Sequence, residues 1–251
     1  MVDKVVAIVP AHNEADYIKP VIESLNKCIK AGVISDYRIV DNASTDSTVR
    51  VAERAGAKGK IISIPEKGKG RAFVKGFFWA DSVKADTLVT LDADLEKFSP
   101  KQINELVLPV KSKSVNMSIA SVEEPLKLGL PRLSKSYWFC PFYLTGIRAI
   151  RMTALKPLRI GNKRWLSLLG KNFELERGLG FLIKKAKPIN SANPFRAARP
   201  PYRGGEFENN QVRQVRGARR YILSRKNKAR RLKQLRVSPE YSLRLRRRTL
   251  K

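Results

Sequence analysis

Asp92 and Asp94 stand one residue apart at the end of the apolar run Thr87-Leu88-Val89-Thr90-Leu91. In extended backbone, side chains at i and i+2 project to the same side, so the two carboxylates converge on one point. Bare like charges at that spacing repel. A hard divalent cation, Mg²⁺ or Mn²⁺, relieves the repulsion and takes phosphate oxygens on its open side. The plainer alternative is a pair of solvated aspartates capping the next helix. A second stretch is basic: Gly68-Lys69-Gly70-Arg71, preceded by Lys67, follows a strand pattern and opens a helix pattern. A helix N-terminus flanked by Lys69 and Arg71 suits an anion such as a diphosphate.

Both stretches need elements that bring them to the same place. Apolar or β-branched runs at 5–9, 37–40, 60–64, 87–91, 115–120, 145–150 and 186–189 read as strands. Helical spacing is found over 15–30, from the Asn42-Ala43-Ser44-Thr45-Asp46 turn to about 55, over 68–83, after Ser99-Pro100, and over 172–184. Strands alternating with helices predict an α/β fold with a mainly parallel sheet and right-handed crossovers. Ligands of such sheets bind beyond the carboxyl ends of the strands. Glu14, Asp41, the Gly-Lys-Gly loop and Asp92/Asp94 all fall at those ends. Gly146, inside a strand, predicts a close backbone approach.

Several classes drop out. The first β–α turn, Pro10-Ala11-His12-Asn13-Glu14, contains no glycine, and Phe73 stands where a dinucleotide fingerprint needs a small residue. A Rossmann dehydrogenase is therefore disfavoured, as is a sugar-activating nucleotidyltransferase, and there is no P-loop. His12 is the sole histidine, which excludes His-rich zinc chemistry. Cys28 and Cys140 lack metal-ligand spacing and read as free thiols in a reducing compartment. No apolar run approaches the length that spans a bilayer.

The 251 residues are 43% hydrophobic and 29% charged, with a net charge of +29. Residues 196–251 hold 19 Lys/Arg against 3 Asp/Glu, so a globular body carries a tail of +16. Pro200-Pro201 and Gly204-Gly205 make a linker. Beyond it Val212, Val215, Ala218, Ile222, Ala229 and Leu232 share one face of a basic amphipathic helix. Its natural partner is an anionic membrane surface, with a solvated tail or a nucleic-acid arm as the weaker alternatives. Tyr137, Trp138, Phe139, Phe142 and Tyr143 form an aromatic cluster that suits either core or an acceptor groove.

Four ordered motifs carry a family resemblance: Val-Pro-Ala-His-Asn-Glu at 9–14, Val-Asp-Asn-Ala-Ser-Thr-Asp-Ser-Thr at 40–48, Lys-Gly-Lys-Gly-Arg-Ala at 67–72 and Leu-Asp-Ala-Asp at 91–94. Over about residues 4–190 the chain resembles family 2 glycosyltransferases, nearest to the branch of polyprenyl-phosphate sugar transferases. Phe173-Glu174-Leu175-Glu176 resembles that branch's late helix motif. The resemblance implies a GT-A (Rossmann-like) domain over 1–195, and composition sets off 196–251 as a basic linker with an amphipathic helical tail. It implies a nucleotide-sugar donor, with Pro10, Ala11, Glu14 and Asp41 at the base and ribose. Lys69 and Arg71 would meet the nucleotide or its diphosphate, and Asp92 and Asp94 would hold Mg²⁺ or Mn²⁺ on the diphosphate. His12 replaces a customary aromatic, and the Ser-Arg pair common in dolichyl-phosphate mannosyltransferases is missing from 118–124.

A hydroxyl acceptor would need a carboxylate base, for which Glu174 and Glu123 are the candidates. Glu174 and Glu176 point apart on a helix, so only one should face the site. A phosphate acceptor, such as a polyprenyl phosphate, needs cations instead: Arg132, Lys135 or Arg148, each of which also reads as a plain surface charge. The expected protein is thus a cytoplasmic enzyme, peripheral on the membrane's cytoplasmic face. The rival expectations are a small soluble acceptor, or a GT-A-like binding protein whose tail engages nucleic acid.

Overall fold

The structure is a computed structural model that describes residues 3–120, 145–161, 169, 175–189 and 194–198. Among the described residues seven strands form one sheet: β1 (Val5–Ala11), β2 (Asp36–Asn42), β3 (Ile61–Ile64), β4 (Thr87–Thr90), β5 (Met117–Ala120), β6 (Arg148–Arg151) and β7 (Ala186–Ile189). Their order across the sheet is β3-β2-β1-β4-β6-β5-β7. The pairs β1/β2, β1/β4, β2/β3 and β5/β7 are parallel, whereas β6 runs antiparallel to both β4 and β5. All seven strand expectations are met, and only the reversed direction of β6 is new.

β1 shows why the sheet sits in the middle. Every one of its residues is buried, and alternate side chains serve opposite faces, as a period of 2 requires. Val5, Ala7 and Val9 pack with Ile18, Val21, Ile22 and Leu25 of helix α1 (Ile18–Lys30) and with Ile103, Leu106 and Val107 of helix α4 (Pro100–Lys111). Val6 and Ile8 pack on the other face with Phe73 and Phe77 of helix α3 (Lys69–Ser82) and Leu175 and Leu179 of helix α5 (Leu175–Leu182). The result is a helix–sheet–helix sandwich.

Element ends follow local chemistry. Ser99 caps α4 with a capping box to Gln102, and Pro100 occupies the first turn, as its sequence predicts. Helix α1 starts at Ile18 rather than Ala15, because the backbone from Glu14 to Tyr17 is used in a turn closed by Tyr17 N–H donating to the Glu14 carbonyl. Helix α2 (Thr48–Ala52) passes into a π-helical turn, Glu53–Ala57, where an α-helix to about 55 was expected. Cys28 is a buried free thiol, and burial pushes it up to about 11. Among the described residues no helix is long and apolar enough to cross a membrane.

Candidate active site

The carboxyl ends of β1 and β2 carry two short loops that are stitched together. Asn13 N–H donates to Ser44 Oγ at 3.0 Å, and Thr45 N–H donates to Asn13 Oδ1 at 2.8 Å. Glu14 N–H donates to Thr48 Oγ1 at 2.8 Å, and Ala15 N–H to Asp46 Oδ2 at 3.2 Å. Burial works against the Asp46 charge, but the hydrogen bonds from Thr48 and Ala15 outweigh it and hold this carboxyl below its ordinary range. Asn13 and Ala43 both adopt positive φ, at 55° and 63°, a conformation that non-glycine residues take where surrounding contacts impose it. Asp41, 6% exposed, sits at the floor of this double loop and accepts from Ser44 N–H. Pro10 and Ala11 are buried at the end of β1, in register with Val40 and Asp41.

Asn42 ties these loops to the basic one. Its Nδ2 donates to the Ala11 carbonyl at 2.8 Å, while its Oδ1 accepts from Gly68 N–H at 3.0 Å. Gly68 has φ 150°, a region that favours glycine, and it sets the first turn of α3 at the sheet edge. His12 Nδ1 lies 2.9 Å from the Asn42 carbonyl, so the ring is held by backbone. Asn42 is thus a positioning residue, which the sequence shows only as the start of a turn next to Asp41.

Lys69 and Asp92 meet. Lys69 Nζ lies 2.6 Å from Asp92 Oδ1 and 2.7 Å from Glu176 Oε1, a carboxylate on α5. Burial disfavours the ammonium, but the charges of Asp92 and Glu176 outweigh it and raise Lys69 above its ordinary value. Asp92 Oδ2 accepts from Gly146 N–H at 3.1 Å. A Cβ built on Gly146 would sit 2.1 Å from Asp92 Oδ1, so the predicted close approach is by the carboxylate itself. Glu176 is 2% exposed; its Oε1 pairs with the Lys69 ammonium, and its Oε2 accepts no hydrogen bond among the described residues.

Arg148 requires a correction. It is no surface charge and no free cation awaiting a phosphate: at 1% exposure it is among the largest fully buried side chains. Its Nε donates to the Thr145 carbonyl at 3.0 Å and its Nη1 to the Glu176 carbonyl at 2.8 Å. Arg148 therefore ties β6 to α5. The signal available in sequence was a single Arg between Ile147 and Ala149 in an otherwise apolar strand.

Arg71, on the first turn of α3, pairs with Glu66 and stays about one-third exposed. Asp94 lies beyond β4, where its carbonyl accepts from Ala198 N–H at 2.7 Å. The segment around Ala198 is docked on the chain after Asp94: Leu95 and Ala197 form an antiparallel bridge, Glu96 N–H donates to the Arg196 carbonyl, and the Phe98 and Phe195 rings pack at 5.7 Å. Glu174, Glu123, Arg132, Lys135, the 137–143 aromatics, Cys140 and the amphipathic pattern from Val212 to Leu232 lie outside the described residues.

The donor set suits Mg²⁺ or Mn²⁺. No cluster of three His, Cys, Asp or Glu residues forms among the described residues, so a metal at the end of β4 would be held by Asp92 and Asp94, with the remaining ligands from outside the protein. Mg²⁺ is commonly held in just that way, by one or two carboxylates with substrate phosphates and water completing its shell. Asp92 already holds one cation, the Lys69 ammonium, so a metal at the same oxygen would have to displace it.

The model of "Glycosyl transferase family 2" matches residues 6–153. Protein RfbJ of Shigella flexneri is 36% identical over 41% of this chain and 76% of the relative. A UDP-N-acetylglucosamine–dolichyl-phosphate N-acetylglucosaminyltransferase of Methanococcus voltae is 27% identical over 63% of this chain and 74% of its own. An undecaprenyl-phosphate mannosyltransferase of Micrococcus luteus is 28% identical over 43% and 45%. Among solved structures, glucosyl-3-phosphoglycerate synthase of Mycobacterium tuberculosis with Mn²⁺, UDP-glucose and phosphoglyceric acid superposes with a TM-score of 0.62. That match covers 86% of this chain and 77% of the synthase at 19% identity, a likeness of fold, which is GT-A.

Proposed function

The chain belongs to glycosyl transferase family 2, and we propose that it moves a sugar from a nucleotide-sugar donor to a polyprenyl phosphate or a related membrane-borne acceptor. The observation that carries the donor side is the meeting of Asp92, Lys69 and the α3 N-terminus at the carboxyl end of β4, beside the stitched β1 and β2 loops. Asp41 and the Pro10–Glu14 loop would receive the nucleoside, with Glu14 and Ala11 flanking it. Lys69, Arg71 and the first amides of α3 would face the diphosphate, whose charge rises as it leaves. Asp92 and Asp94 would hold Mg²⁺ or Mn²⁺, which when bound supplies further neutralisation of that charge.

Transfer breaks the bond between the anomeric carbon and the diphosphate oxygen, whose electron pair leaves with the nucleoside diphosphate. A new bond forms from an acceptor oxygen to the same carbon. A phosphate acceptor arrives ionised and needs no base; of the two acids of the late helix motif, the described one, Glu176, is buried and engaged with Lys69. Support for a lipid acceptor comes from two relatives named for dolichyl phosphate and undecaprenyl phosphate. The +16 tail adds to it, since each Lys or Arg near anionic lipid contributes about 1 kcal/mol.

The test is a depletion screen over nucleotide sugars, with and without polyprenyl phosphate in vesicles. Donor consumption that depends on the lipid phosphate is expected. Truncation after Ala198, which keeps the segment docked beside Asp94, should preserve donor binding while abolishing vesicle co-sedimentation. Retention on RNA with vesicles ignored at physiological salt would favour the nucleic-acid reading instead.

A further inference from the structure

Two carboxylates share one ammonium in this site, and the three differ in freedom. Asp92 is pinned by Gly146 N–H on one oxygen. Glu176 is pinned through its backbone, because the buried Arg148 guanidinium holds its carbonyl at 2.8 Å and the Thr145 carbonyl at 3.0 Å. Residues 145–148 thus seat both acids. Lys69, between them, hangs on a flexible four-carbon stem. Glu176 also has unused capacity: its side chain is 3% exposed, Oε1 faces Lys69, and Oε2 meets no hydrogen-bond donor among the described residues. A buried carboxylate in that condition is costly unless something else employs it.

We propose that Lys69 is a built-in stand-in for the divalent cation, and that Glu176 is the positioning residue that keeps the ammonium when Asp92 takes up the metal. It rests on Asp92 and Asp94 being the metal pair. The ammonium lies 2.6 Å from Asp92 Oδ1, and a metal bound to that oxygen would sit at about 2.0–2.1 Å for Mg²⁺. Two cations cannot share one oxygen at those distances without strong repulsion, so the ammonium must withdraw. Glu176 already holds the ammonium at 2.7 Å, so it remains as a buried counter-charge when the contact to Asp92 is given up. With the ammonium kept on Glu176, the carboxylates of Asp92, Asp94 and Glu176 are matched in charge by Lys69 and the divalent cation once the metal enters. The displacement also makes metal capture weak until a diphosphate arrives to share both cations.

The experiment measures Mn²⁺ affinity of the full chain without nucleotide, from the electron paramagnetic resonance signal of free Mn²⁺ at fixed ionic strength. Lys69→Met removes the competitor and should tighten Mn²⁺ binding at least tenfold. Glu176→Gln leaves Lys69 with Asp92 as its remaining carboxylate and should weaken it at least threefold, with Glu176→Asp restoring part of the loss. Lys75→Met, an exposed charge on the same helix, should stay within twofold of wild type. Unchanged or weaker binding by Lys69→Met overturns the inference. If that variant does not fold, unchanged affinity in Glu176→Gln overturns it. Asp94→Asn separates the two ideas: if it binds Mn²⁺ as wild type does, the metal pair itself is misassigned. If it loses Mn²⁺ while Lys69→Met gains nothing, the metal pair stands and the stand-in fails.

Discussion

Gly146→Ala tests whether the position of Asp92, rather than its presence, sets the activity. The added Cβ would lie 2.1 Å from Asp92 Oδ1, 2.7 Å from Cγ and 2.9 Å from Oδ2. Ordinary contact needs more than 3 Å, so the carboxylate must move by about 1 Å or more. The displaced group ends a short side chain, so the fold can yield. The cost should fall at the low end of the roughly 1–3 kcal/mol of overpacking, about 2–4 °C in Tm per kcal/mol for a chain of this size. The chemistry cannot yield so cheaply. Moving Asp92 disturbs its contacts to Gly146 N–H and Lys69, and a misplacement of about 1 Å can cost on the order of 100-fold in rate. Steady-state kinetics and a thermal melt on the same preparation separate the two. A small Tm loss with kcat/KM down by about two orders of magnitude is expected. Wild-type turnover in Gly146→Ala would refute the placement of Asp92 at the reacting diphosphate.

Arg71→Ala should leave stability within about 0.5 kcal/mol, since its partner Glu66 is exposed, yet weaken donor binding by roughly 1.5–3 kcal/mol in calorimetry; equal donor affinity would reduce Arg71 to a surface pair. Phe195→Ala should release the segment docked beside Asp94. Losing a ring that is 2% exposed costs about 3–5 kcal/mol, so Glu96 and Ala198 amides should exchange about two or more orders of magnitude faster, and unchanged exchange would show the docking to be unimportant. Cys28, raised to about 11 by burial, contributes stability that is fully present below the unfolded thiol's value of about 8.5 and is lost as pH rises through about 11. In a Cys140→Ser background, alkylation of the native protein at pH 8 should therefore be negligible and become fast only on unfolding.

Much of the molecule was legible in the sequence because strand periodicity and turn chemistry are local. Val5–Ala11 reads as a strand covered on both faces because it is one, and Ser99-Pro100 reads as a cap because its side chain and ring act within three residues. The direction of β6 was not legible, since apolar period carries no sense of up or down. Gly146 signalled a close approach but could not name the approaching group. Burial of Arg148 was missed because a charge reads as surface unless its carbonyl partners, Thr145 and Glu176, are known. Similarly, one of two acids on the late helix was expected to face the site, and the choice between Glu174 and Glu176 depends on how α5 rolls against the sheet. The structure puts Glu176 beside Lys69.

The most direct measurement of the central claim follows labelled sugar from the donor found by the screen into polyprenyl phosphate in vesicles, with Mn²⁺, with chelator, and with Asp94→Asn. Lipid-linked product is expected from the wild type with Mn²⁺, and at least 100-fold less with chelator or with the folded Asp94→Asn variant. Full transfer in chelator, or an Asp94→Asn enzyme as active as wild type, would contradict the account.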